Sequence, residues 1–423
     1  MLELHGITWD HPRGLAPMRA TAAAFEQAQG DIHIRWDARS LQAFGDQPIE
    51  QLAAAYDLLV IDHPLIAAAA RGGWLVALDE RLPASFLAAQ AAQSVGSSYA
   101  SYTYDGHQWA LPIDAAAQVS AYRLDLLDAL GEDLPRTWGE VLALARRADT
   151  ARVAIPLNPI NAVCSFLTLC ASYGDPPGSD AGRLVGRTVG RTALDTLRRL
   201  VAHAHPESLS FDPPRMLDRM ATTDDIVYCP LVFGYATYAR PDAARRPCRF
   251  GDIPSPTGGG VPRGGLLGGA GLAISSSCRS IDQACAYAQW VASAECQRTL
   301  YVASGGQPGN RLAWTDPGVN AAAGDFFLDT LDTLDHAYLR PRHAGFAHVQ
   351  DRAGLILRDY LRHGGVSALS WIRSTPCTPR AQRRRARRDR SAHGFAPWND
   401  GSSRTRARTA PSTSCWPALP VTS

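Results

Sequence analysis

Apolar positions in the first 80 residues switch repeatedly between a period of two and a helical period. LHGITW reads as a short strand, and PMRATAAAFEQA predicts a helix with an apolar stripe at Met18, Ala22 and Phe25. IHIRW alternates, placing Ile32, Ile34 and Trp36 on one face and Trp36 in the core. PIEQLAAAY predicts a helix, DLLVID a buried strand, and LIAAAARGG a short helix closed by glycine. This βαβαβ order implies parallel strands with right-handed crossovers. In such sheets ligands gather at the carboxyl ends of the strands, here the loops WDHPRG, WDARS and IDHP.

Further along, DGHQWALPIDAAAQVSAYRLDLL (105–127) holds two apolar stretches around Pro112 and Asp114. QWALPI is expected to be a strand that Pro112 ends or forces to a sheet edge, and QVSAYR a second strand. In TWGEVLALARRA, Thr137 and Glu140 form a capping box. RVAIPL starts a second alternation, with helices expected near 160–172, 192–204 and 213–221 and a strand in DIVYCPLVFG. GDIPSPTGGGVPRGG reads as an inter-lobe linker and not a phosphate loop. LLGGAGLAIS returns as a strand, and IDQACAYAQWVASAECQRTLYVAS predicts one long helix closed by Gly305 and Gly306. Helices around 320–337 and 346–362 complete the body. The chain therefore builds one α/β unit, leaves it near Pro112, builds another, and returns near Gly258. The expected lobes are 1–113 with 258–310, and 114–257 with 311–371, with Pro112 and Asp114 at the hinge.

A length of 423 residues, 46% of them apolar, supports a folded body of more than one core. After about Ser370 periodicity stops. The tail 372–423 carries Arg, Pro, Ser and Thr and is expected to be disordered. From Arg373 onward eleven Arg face only Asp389 and Asp400, a net +9 that leaves the rest at −7 of the total +2. The folded part is mildly acidic, which argues against a nucleic-acid surface. All 42 basic residues are Arg, the mark of a GC-rich gene, and such a gene read out of frame gives a tail of this composition. A frame change is expected between Gly365 and Trp371, where VSALSW begins a helix that the next residues abandon. No apolar run is long enough to span a membrane. MLELHGITWD has no secretion signal, so the start as written points to the cytoplasm. Nine Cys without a CxxC pair suit neither a zinc site nor a disulfide framework, and no metal or cofactor is expected.

YDGHQWALPIDAAAQVSAYRLDLLDALGEDLPRTWGEVLALA resembles the central signature of the extracellular solute-binding proteins that deliver sugars to ABC transporters, the maltose-binding-like group. Its parts are Gly106, Pro112, Tyr122, Asp125 to Leu127, and Pro135 to Trp138. YDLLVIDHPLIAAAARGGWLVALDE and GLAISSSCRSIDQACAYAQWVASAECQRTLYVASGGQPGNRLAW are similar to two further stretches of the family, and the likeness covers about residues 4–370. The resemblance implies an α/β, two-lobed periplasmic-binding-protein-like fold (type II) whose hinge is crossed several times. It also implies a small-molecule ligand, a sugar above all, a permease as partner, a monomer, and a periplasmic location. Family members normally carry a secretion signal, which implies a trimmed start here or a paralogue kept inside the cell. Residues 115–117 are all Ala, so contacts known for one sugar do not carry over.

Trp9, Asp10 and His11 follow the first strand, where a Trp beside a carboxylate suits a sugar ring and its hydroxyls. Asp62 and His63 end the third strand, where Asp62 could equally cap a helix. Asp114 and Gln118 follow the hinge proline, and Phe233 and Tyr235 belong to an aromatic cluster of the second lobe. Gly268 and Gly269 permit close backbone approach or a bulge. Arg340 and Phe346 flank the start of a late helix where the family often supplies an aromatic. A glycoside-processing enzyme is the competing class, but no Glu lies near these strand ends, GxSxG is absent, and GLLGGAG departs from GxGxxG. A cytoplasmic ligand sensor with the same fold is the other alternative.

Overall fold

A computed structural model of the chain describes residues 2–147, 152–178, 184–259, 261–343 and 345–365. The expected tail 372–423, with the frame change placed just before it, lies outside them. Strands β1 (Leu2–Trp9), β2 (Ile32–Arg39) and β3 (Leu58–Ile61) pair in parallel with β1 in the middle. The helix Pro12–Gln29 makes the first crossover and buries Met18, Ala22 and Phe25. It ends at Gly30, whose φ of 79° lets its N–H reach the Glu26 carbonyl. Along β3, Leu58 and Val60 join one core and Leu59 and Ile61 the other, so both faces of this strand are covered. All four side chains are fully buried, each stabilising the lobe by roughly 1.5–3 kcal/mol.

A hairpin of β4 (Thr103–Tyr104) and β5 (His107–Gln108) precedes the strand that unites the molecule. That strand, β6 (Leu111–Tyr122), runs unbroken through Pro112, where the sequence predicted two strands. Pro112 is tolerated because it opposes Gly271 while Asp114 opposes Ala270, which leaves Ile113 as the extra residue of a bulge. The remaining strands are β7 (Arg152–Val153), β8 (Ile226–Phe233), β9 (Arg249–Gly251) and β10 (Leu267–Ile274). The sheet order is β2-β1-β3-β10-β6-β8-β7, with β9 also on β6. Pro230 sits in β8 by the same device, since Pro230 and Leu231 together face Ser120.

The fold is α/β and two-lobed, and β6 belongs to both lobes. Its residues Leu111–Ala117 pair with β10, and Gln118–Tyr122 pair with β8 and β9. The Gly- and Pro-rich stretch after β9 leads back to β10, where Leu266 lies beside Tyr338 and Leu267 opposes Ala117. A third passage lies against β6 at Gln307, whose carbonyl accepts from the Ala115 N–H (3.0 Å) and whose amide donates to the Ala115 carbonyl (2.8 Å).

Two long helices of the sequence reading are broken. The one expected over 281–304 stops at Val291, restarts at Ala294 with Ser293 as cap, and passes into a π-turn at Gln297–Tyr301. The one expected over 320–337 is three short helices, Pro317–Ala322, Phe326–Asp329 and Leu331–Asp335. Phe326 and Phe327 fold inward there against Trp314. The capping box holds: Glu140 accepts from the Thr137 N–H (3.0 Å), and the Thr137 hydroxyl accepts from the Glu140 N–H (3.1 Å).

Candidate functional site

The carboxyl ends of β1 and β3 meet β6, β10 and the end of β8 around a cavity of about 170 Å³. Its walls come from both lobes. Trp9, Phe44, Asp62 and Leu65 line it from the first 65 residues, Asp114 from β6, and Asn161, Cys164, Phe233, Tyr235, Arg340, Gln350 and Asp351 from later segments. Apolar surface prevails, interrupted by two ion pairs and by the exposed carboxylate of Asp351.

The first pair joins Asp114 to Arg13. Arg13 stands in the first turn of Pro12–Gln29, where a cation opposes the helix dipole, and its partner lies 101 residues away. Its Nε donates to Asp114 Oδ2 (2.8 Å) and its Nη2 to Oδ1, and neither side chain is more than 5% exposed. Nη1 donates to the Gly234 carbonyl (2.7 Å), and the guanidinium lies 4.6 Å over the Tyr235 ring, so one side chain ties the first helix to the second lobe. Burial pushes the Asp114 carboxyl above its ordinary value against the pull of Arg13.

The second pair crosses the cleft. Arg340 Nη2 donates to both oxygens of Asp62 (3.2 and 3.0 Å), and Nη1 donates to Gln350 Oε1 (3.0 Å). Burial alone would raise the Asp62 pKa, but Arg340 and then His63 outweigh it and hold the carboxyl well below its usual range. Asp62 also accepts from the His63 N–H (2.8 Å), the capping role that its position suggested.

Glycines make room for this arrangement. Gly269 has φ 108°, and a Cβ there would stand 2.3 Å from the Asp114 carbonyl oxygen. At Gly268 a Cβ would meet the Phe233 ring at 2.8 Å, so that ring occupies the space a side chain would need.

Residues 8–298 match the profile of the bacterial extracellular solute-binding proteins. The chain belongs to this family. No curated protein matches it in sequence. Among solved structures, it is similar to an ABC transporter solute-binding protein of Agrobacterium radiobacter K84 in complex with ribitol, at TM-score 0.72 and 19% identity over 88% of this chain and 96% of that one. The maltose-bound MalE3 of T. maritima gives TM-score 0.74 and 20% identity over 88% and 98%. A Thermotoga lettingae solute-binding protein with α-D-tagatose gives 0.72 and 16% over 88% and 97%. At these identities the likeness shows the fold.

Of the residues singled out in the sequence of this solute-binding protein, the cavity wall brings together Trp9, Asp62, Asp114, Phe233, Tyr235, Gly268, Gly269 and Arg340. Five stand off it. Asp10 is exposed. His11 caps the first helix, its Nδ1 accepting from the Arg13 N–H (3.1 Å) and its ring packed on Tyr235 (4.8 Å). Burial and Arg13 lower its pKa to about 4, so the ring is neutral beside the guanidinium. His63 is fully buried behind Asp62 against Tyr102, with its pKa lowered to about 4 by burial and Arg340. Gln118 faces the second core, where its amide donates to Ser165 (3.3 Å) and accepts from Thr168 (2.5 Å). Phe346 is packed in a core of buried apolar residues, and its neighbour Ala347 and Gln350, one helical turn on, reach the wall instead.

Sequence reasoning passed over Arg13, Phe44, Asn161 and Gln350. A signal existed for Arg13, a lone cation in a helix first turn behind a strand end; the other three carry none.

Proposed function

We propose that the protein takes a small polyhydroxylated solute, a sugar or polyol, into the cavity between its lobes and presents the closed form to an ABC transporter permease. The observation that carries this reading is the pair of carboxylates, Asp62 and Asp114, each held by an arginine on a cavity whose wall also includes Trp9, Phe44, Phe233 and Tyr235. Fixed carboxylates accept hydrogen bonds from hydroxyls, and aromatic rings cover C–H faces. Ribitol, maltose and α-D-tagatose in the similar structures support a ligand of this class. The lobes are taken as residues 1–113 with 258–310 and 114–257 with 311–371, moving about β6 and its neighbours. A ligand that touches both lobes stabilises the closed arrangement and shifts the hinge equilibrium toward it.

Binding without turnover is the favoured reading. Burial raises the Cys164 thiol to about 12, which removes the thiolate as a nucleophile, and Asp62 and Asp114 are engaged by arginine. The protein is read as a monomer working in the periplasm, in keeping with an extracellular family. Incubation with neutral sugars and polyols, followed by melting and by analysis of the recovered solute, tests the reading. A ligand-dependent rise in Tm with the solute recovered intact supports it, and conversion of the solute contradicts it.

A further inference from the structure

Three features of the cavity bear on which solute it takes, given the sugar or polyol reading above. The first is size. An enclosed cavity of about 150 Å³ admits benzene, and this one, open to solvent on part of its surface, measures about 170 Å³. The second is charge. Asp114 faces Arg13 and Asp62 faces Arg340, so the charges of these two pairs cancel before any ligand arrives, and Asp351 adds an exposed carboxylate to the wall. A charged ligand has to draw one member from its partner in a buried place, whereas hydroxyls use what the pairs leave over. Carboxylate oxygens keep spare lone pairs. The third is the end wall. Asp62 and Arg340 join hands across the cleft, and two residues beyond, Arg342 Nη1 donates to the carbonyls of Ala100 (2.5 Å), Ser101 (3.2 Å) and Thr103. Both links join segments that the proposed division places in different lobes, in the arrangement seen here.

We propose that the Asp62–Arg340 pair is a specificity device, closing one end of the cavity so that it takes a single neutral sugar ring or a polyol of similar length and excludes disaccharides and charged sugars. Calorimetric titration of the full chain tests this with three sets of probes: neutral monosaccharides and polyols, their di- and trisaccharide counterparts, and the acidic and amino counterparts. The expected result is a neutral single-ring sugar or polyol preferred by about 100-fold over its disaccharide and over its charged forms. Asp62→Asn keeps the side-chain shape and leaves Arg340 uncompensated, and it moves preference toward the acidic counterpart by at least about tenfold. Arg340→Ala removes the wall and lowers the monosaccharide-to-disaccharide ratio by at least about tenfold. A wild-type protein that binds a disaccharide or a charged sugar as tightly as the neutral single ring overturns the proposal and leaves the sugar-binding reading intact. Silence across all three sets, with the protein folded by its melting curve, overturns that reading and the proposal with it. If Arg340→Ala does not fold, Asp62→Asn decides, and an unchanged preference in that variant counts against the pair.

Discussion

Removing Arg13 strips Asp114 of its only described side-chain partner in a place almost closed to solvent. Breaking a buried pair by deleting one member costs about 3–5 kcal/mol, because the other charge stays buried. Arg13→Met keeps most of the side-chain bulk, so a cavity adds little, and the lost bond to the Gly234 carbonyl falls within the same figure. At about 2 °C per kcal/mol the melting temperature drops by roughly 6–10 °C. Arg13→Met combined with Asp114→Leu removes both charges, and the double variant recovers most of the loss, with a coupling of at least about 2 kcal/mol. The deficit also depends on pH with a defined sign. Burial already raises the Asp114 carboxyl above 3.8, and losing Arg13 raises it further. A carboxyl raised in the folded state destabilises above that raised value and ceases to do so as the pH falls toward 3.8, so the deficit of Arg13→Met is largest at neutral pH and shrinks in acid. Melting curves followed by far-ultraviolet circular dichroism and tryptophan fluorescence, from pH 7 down to about 4, provide the data. Additive single costs, or a deficit independent of pH, refute the reasoning.

Gly269→Ala forces a Cβ toward the Asp114 carbonyl at φ 108° and is expected to cost about 1–3 kcal/mol while weakening ligand binding, read by melting and titration together. Gln118→Ala takes the acceptor from the Thr168 hydroxyl, which keeps the Leu266 N–H, and the donor from Ser165, and lowers stability by about 1–3 kcal/mol, yet leaves ligand affinity unchanged in calorimetry because the side chain is not part of the cavity wall. Burial lowers His63 from 6.5 to about 4, so the unfolded chain binds the extra proton first and stability falls as pH drops from about 6.5 to about 4. His63→Phe flattens that slope in thermal melts, with His11 supplying what remains.

The first lobe was legible because its strands and helices obey clean periods and its turns end in glycine or a cap. β6 was misread because a proline usually ends a ladder, and nothing local announces that Ile113 bulges opposite Gly271. The break after Val291 escaped for a related reason: Ser293 caps a helix only once Cys296 turns back toward it, at 3.2 Å. Asp114 and Gln118 lie on the same side of one strand and were treated alike. Their fates divide after Ala117, where the pairing of β6 passes from β10 to β8 and the helix Pro159–Ser172 covers Gln118 with Thr168. Partners brought from 101 and 278 residues away, as in Arg13–Asp114 and Asp62–Arg340, leave no mark in local pattern.

Spin labels at Gln51→Cys and Arg191→Cys, exposed sites on helices of opposite lobes, measure the hinge itself once Cys377 and Cys415 are replaced by Ser; the seven described cysteines are buried. Pulsed electron–electron resonance distances are compared with and without the sugar or polyol that raises Tm most. A ligand-dependent change of population between two distances is the result expected of lobes closing on a solute, and one unchanged distribution contradicts it.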